Sequence, residues 1–134
     1  MRKYLGRFVM ATVVLALAVA PMVAQSTQTA SEFYVEYRAA FDKAKSVDDI
    51  LPFMATERQD EMNAVPAAER ADMFEMIKMF GALTSVKVLT ENVTATDATL
   101  TAEGIDSDSA TTLGTITLVK EGGAWRLSQE SWKQ

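Results

Sequence analysis

From Phe33 to Phe80 apolar side chains recur at intervals of three and four; from Val86 onward they recur at intervals of two. The first spacing keeps one face of a helix apolar and the second does the same for a strand, so the chain predicts helices followed by strands. Phe33, Tyr37 and Phe41, with Tyr34 and Ala44 beside them, form the stripe of a first helix. Glu36, Arg38, Asp42 and Lys45 lie off that stripe, and Arg38 and Asp42 make an i,i+4 pair. Thr29 and Glu32 stand three apart just ahead of it, the spacing of a capping box. Ser46 predicts the start of a shorter helix ending near Met54 and carrying Val47, Ile50, Leu51 and Phe53. Thr56 and Gln59 predict a second capping box, opening a helix that runs to about Asn63. Pro66 suits the first turn of a fourth helix, where its missing amide costs nothing. Met73, Phe74, Ile77 and Phe80 give that helix its core stripe, with Met76 flanking it, Glu69 and Asp72 near its start, and Lys78 and Gly81 at its end.

Past Leu83, residues 86–93 and 98–103 read as two strands joined by a polar turn at 94–97, with Ala98, Leu100 and Ala102 on one face. Residues 104–110 are a polar connection. Gly122-Gly123 then predicts a two-residue hairpin turn, because glycine accepts the positive φ such a turn needs. With those two as the loop, Lys120 faces Trp125, Leu118 faces Leu127 and Ile116 faces Gln129. Trp125, Leu118, Leu127 and Ile116 then share a buried face. Thr115, Thr117, Arg126, Ser128 and Glu130 fall on a wet one. The predicted class is α+β, with N-terminal helices packed on a four-stranded antiparallel sheet.

Arg2, Lys3 and Arg7 precede an apolar run from Phe8 to Ala20 whose one polar residue is Thr12. A basic start and a run too short for a membrane span describe a secretory signal peptide over residues 1–25, with cleavage after Ala24 or Gln25. Residues 26–134 then form a single domain, exported to a bacterial periplasm or medium and not stably inserted in a membrane. Without those three basic residues the chain carries 10 Lys+Arg against 18 Asp+Glu, a formal charge of −8. That balance argues against nucleic acid as a partner. The chain has no cysteine and no histidine. Stability must come from packing, no lipid can be attached through a thiol, and Ser-His-Asp, Cys-His and His-ligated metal chemistry are all excluded. No cofactor or metal is expected.

The element order and the ending Leu118-Val-Lys-Glu-Gly-Gly-Ala-Trp125-Arg-Leu-Ser-Gln-Glu-Ser-Trp132 resemble the nuclear transport factor 2-like (cystatin-like) superfamily, in particular its small exported bacterial members. The resemblance covers about residues 31–132 and is most specific in the hairpin. It implies a strongly curved sheet whose concave side, closed by helices, forms a cone-shaped pocket. Relatives include isomerases, dehydratases, non-catalytic binders and dimerisation domains, so the fold alone does not select a function. The dehydratase pattern needs a His-Asp pair that this chain lacks.

The expected function is non-catalytic: a small apolar ligand or a protein partner held in the cone by Tyr34, Tyr37, Phe41, Met76, Phe80, Leu100, Leu118 and Trp125. The same side chains serve as plain core if the cone is filled. An isomerase-like enzyme is the alternative, with Glu91 as a desolvated general base on the face of Leu89, Val93 and Leu100, and Tyr34 or Tyr37 as donor. Against it stands a bulge that turns Glu91 to solvent. A third possibility is assembly, with a homodimer formed through the open sheet and Trp132 at the contact; a bulge restoring Trp132 to the core is the plainer reading. Met54, Met62, Met73, Met76 and Met79 lack the His or Cys that a copper site needs, and read as core filling. Glu103, Asp106 and Asp108 lack calcium-loop spacing. Asn92-Val-Thr94 matches a glycosylation acceptor but lies in a predicted strand.

Overall fold

The computed structural model describes residues 27–133; the leader read from residues 1–25 lies outside them. Helices come first and a four-stranded antiparallel sheet follows, in the order β1-β2-β3-β4 along the chain and across the sheet. Helix α1 spans Ala30–Lys43 and starts with the expected capping box. Thr29 Oγ1 accepts from the Glu32 amide at 3.1 Å, and the Glu32 carboxylate accepts from the Thr29 amide at 2.9 Å. Its buried face is Phe33, Tyr34, Tyr37 and Phe41, as the stripe predicts, but Arg38 is buried with them.

The short helix expected from Ser46 to Met54 is instead two 3₁₀ turns, Val47–Asp49 and Leu51–Phe53. Pro52 has no amide to donate into a continuous α-helix, so the segment breaks there. Helix α2, Thr56–Asn63, forms, but not on a capping box. Thr56 is already inside the helix. Its amide donates at 3.0 Å to the carboxylate of Glu121, which reaches across from the sheet. Gln59 donates instead to the carbonyls of Leu51 and Met54, at 2.9 and 3.1 Å. The cap is tertiary, and no local spacing could announce it.

Helix α3, Ala67–Phe80, follows Pro66 directly. Its inward line follows the expected stripe at Phe74, which is buried, and at Met73 and Ile77, which are half-buried; Phe80, expected with them, is 66% exposed, and the flanking Met76 is 53% exposed. The end of the helix meets α1 at Lys78 and Gly81. Lys78 donates to the Phe41 and Asp42 carbonyls at 2.5 and 3.2 Å, closing the free end of α1.

The strands are β1 Ser85–Val93, β2 Asp97–Ile105, β3 Thr111–Glu121 and β4 Ala124–Lys133. Gly122 and Gly123 hold φ of 58° and 79°, the positive values the hairpin turn requires. Lys120 pairs with Trp125 and Leu118 with Leu127, as expected. Beyond Leu127 the register slips, so that Thr117 pairs with Gln129 and Ile116 with Glu130. Ser128 is the extra residue of a β-bulge. A second bulge, at Leu89, interrupts β1 between the Val88–Ala102 and Thr90–Thr101 pairs. Ala55 donates its amide to the Leu127 carbonyl at 2.8 Å, next to a parallel bridge between Met54 and Leu127. One sheet face carries Ala98, Leu100, Ala102, Ile116, Leu118, Trp125 and Leu127, and α1 packs on it to make a single core.

Candidate functional site

The bulge at Ser128 decides what faces the core. Trp125 and Leu127 are odd-numbered and point inward, and without the bulge Glu130 and Trp132 would point outward. With it, Glu130 sits opposite Ile116 and Trp132 opposite Gly114, both on the inner face. Trp132 is half-buried against the core, so its side-chain packing belongs to the bulged register. Gly114 makes room for it: a Cβ there would stand 2.7 Å from the indole ring.

Glu130 was expected on the wet face; its side chain is only 14% exposed. One carboxylate oxygen accepts from the Tyr34 hydroxyl at 2.5 Å, and the other lies 3.6 Å from Arg38 Nη1. Arg38, also expected outside, is 6% exposed in its side chain. Its guanidinium lies 4.6 Å from the Phe41 ring centre and donates at 2.8 Å to the Gly81 carbonyl. The Arg38–Asp42 pair expected from their spacing is present, at 3.9 Å. Burial pushes the Glu130 carboxyl above its ordinary range, and Arg38, Tyr34 and Trp132 oppose that shift. Burial first, and then the neighbouring Glu130 charge, raise the Tyr34 and Tyr37 hydroxyls. Both tyrosines are therefore neutral hydrogen-bond donors at ordinary pH.

Tyr37 and Glu130 of this cluster line a cleft of about 290 Å³ between α1, α2, α3 and β4. Tyr37, Phe41, Met54, Met62 and Leu127 supply apolar wall; Arg58 and Glu130 supply charge; Phe80 and Trp132 also line it. Of the side chains expected to line a pocket, Tyr37, Phe41 and Phe80 do so. Tyr34, Leu100, Leu118 and Trp125 are buried in the core. Met76 lies on the exposed side of α3 and lines no part of this cleft.

Glu91 is not in the cleft. It pairs with Leu100, because the β1–β2 turn is closed by Thr94 and Asp97. It shares the inner face with Val93, but it sits beyond the start of α1, where it is exposed and accepts from the Ser31 amide at 3.2 Å. Leu89, expected beside it, occupies the bulge. A carboxylate there supports the positive end of a helix, which is a structural task. Asp106 uses one carboxylate oxygen to accept from the Asp108 and Ala110 amides, both at 2.9 Å, and so organises its own turn.

Glu130 and Arg38 are the residues that pattern reasoning missed. A signal for Glu130 existed. Trp125, Leu127 and Trp132 cannot all face one way on an unbroken strand, and any single bulge between Leu127 and Glu130 carries Glu130 inward with Trp132. Compared with family models, with curated proteins and with solved structures, the chain matches none.

Proposed function

We propose that this chain is a small exported, non-catalytic domain with the cone-shaped α+β fold of the nuclear transport factor 2-like superfamily, and that its cleft binds a small, largely apolar ligand. The observation that carries this is the cleft itself. It has aromatic and methionine walls, a volume of about 290 Å³, and buried polar groups in its lining. Ligand sites are typically concave, mostly apolar and fixed in orientation by a few polar groups, and this volume lies at their small end, roughly 300 Å³. The experiment is a thermal-melt screen with 2-naphthol, octanol and octanoate against the wild type and Ile77→Trp, which fills the half-buried wall. A ligand present at about a hundred times its Kd stabilises by about 2.7 kcal/mol. In a domain of this size that raises Tm by roughly 10 °C or more. The wild type should show such a rise and Ile77→Trp should not. Equal rises in both proteins would remove the cleft from consideration.

One observation favours a second reading, proton transfer by a carboxylate. Glu130, not Glu91, is the desolvated acid, and it lies beside a neutral tyrosine hydroxyl. A base of raised pKa within reach of a neutral donor suits abstraction of a proton next to a carbonyl. The test follows deuterium exchange into cyclohexanone. Exchange faster than buffer that disappears in Glu130→Gln supports this reading; exchange at the buffer rate ends it.

A further inference from the structure

The polar groups around the cleft are unevenly matched, and the imbalance favours one kind of ligand head group. Two residues from two elements bring donor groups to its lining: Tyr37 on α1, whose hydroxyl has no hydrogen-bond partner, and Arg58 on α2, near enough for its charge to act on Tyr37. Arg58 Nε and Trp132 Nε1 are fully shielded as atoms, so neither faces the open cleft. The one carboxylate in the wall, Glu130, is already engaged, with one oxygen on Tyr34 and the other facing Arg38. Arg58 uses Nη1 on Glu61 at 3.2 Å, outside the cleft, while the rest of its partly exposed side chain still lines the cleft. A buried donor without an acceptor costs free energy, so the site gains most from a molecule that brings oxygen acceptors.

We propose that the cleft takes a small monocarboxylic acid, with its apolar body against Phe41, Met54, Met62 and Phe80 and its carboxylate between Arg58 and Tyr37. This rests on the ligand-binding reading above and adds the chemical class. Charge supports the acid over a neutral acceptor. Arg58 lines the cleft, and the charge of its one wall carboxylate, Glu130, is already offset by Arg38 at 3.6 Å. Hydrogen bonds to charged acceptors are roughly twice as strong as neutral ones.

The test is calorimetric titration of the full mature chain with three probes of one chain length: octanoate, octanol and octylamine. Octanoate should bind at least tenfold more tightly than either of the others. Arg58→Gln and Tyr37→Phe should each bring it down towards octanol. Arg58 is substantially exposed, so its substitution spares the fold, and a matched melting curve verifies this. Lys87→Gln, a loss of charge on the outer sheet face, should leave octanoate binding unchanged. Octanol or octylamine binding as tightly as octanoate overturns the acid assignment while keeping the cleft. So does octanoate binding that Arg58→Gln and Tyr37→Phe leave intact. Binding of none of the three overturns the cleft reading itself.

Discussion

Glu130 and Arg38 form a buried ion pair, whereas the other ion pairs among the described residues each have an exposed partner. Such a pair is poor evidence of net stability, because removing both ions from water costs about what their attraction returns. Breaking it is another matter. Glu130→Leu leaves the Arg38 guanidinium charged and enclosed, and should cost ~3–5 kcal/mol in urea denaturation. The double variant Glu130→Leu, Arg38→Met should recover most of that loss; a double variant no more stable than the single would refute the pairing. Glu130 also sets a pH dependence. Its carboxyl titrates higher when folded than the ordinary value of 4.5 it has when unfolded. Between those two values the folded chain holds more protons, so stability falls as pH rises from about 4.5 towards the folded value. Glu130→Gln should flatten the profile of unfolding free energy between acid and neutral pH, and parallel profiles would count against the assignment. The aromatic stripe of α1 was legible from spacing, because i,i+4 periodicity is local. The burial of Arg38 was not, since it depends on Gly81, at the end of α3, and Glu130, on β4, meeting it from two distant parts of the chain.

Most elements follow from short-range rules. The Thr29 box, the Gly122-Gly123 turn and the alternation of β2 each need only a few neighbouring residues, and all three form. Failures occur where a distant partner intervenes. Glu121 takes the cap of α2 from the local Thr56–Gln59 pattern. Glu121→Ala should therefore destabilise the protein by about 1 kcal/mol, like the loss of an ordinary N-cap. Gln59→Ala should act through the loop carbonyls of Leu51 and Met54 instead. The bulge in β4 gives a sharper prediction. Deleting Ser128 restores the simple register and turns Glu130 and Trp132 outward while sparing the turn. We expect a large loss of stability and red-shifted tryptophan emission relative to wild type. An unchanged spectrum would mean that the slip in pairing does not decide which face these residues occupy.

At the scale of the whole molecule, helices and sheet contribute to one core, so neither layer has a separate interior to retain when the other melts. Urea unfolding followed by tryptophan fluorescence and by far-ultraviolet circular dichroism should give coincident transitions. Distinct midpoints would show that the helices and the meander are independent units. Element order and strand pairing were readable because a meander joins neighbours in sequence. The cleft was not, because α2, α3 and β4 meet there without a sequence signature. Packing also changes how assembly must be tested: Trp132→Ser would remove a side chain from the core, so a loss of dimer in that variant would not separate a contact from a folding defect. The two irregularities in strand pairing have a further consequence. An antiparallel sheet ends in two rows of unsatisfied peptide groups, the usual template for fibril growth by strand addition. Here the kink at Leu89 breaks one row, and the docked backbone at Met54 and Ala55 occupies part of the other. The devices that aim side chains inward therefore also guard the fold against polymerising through its own margins.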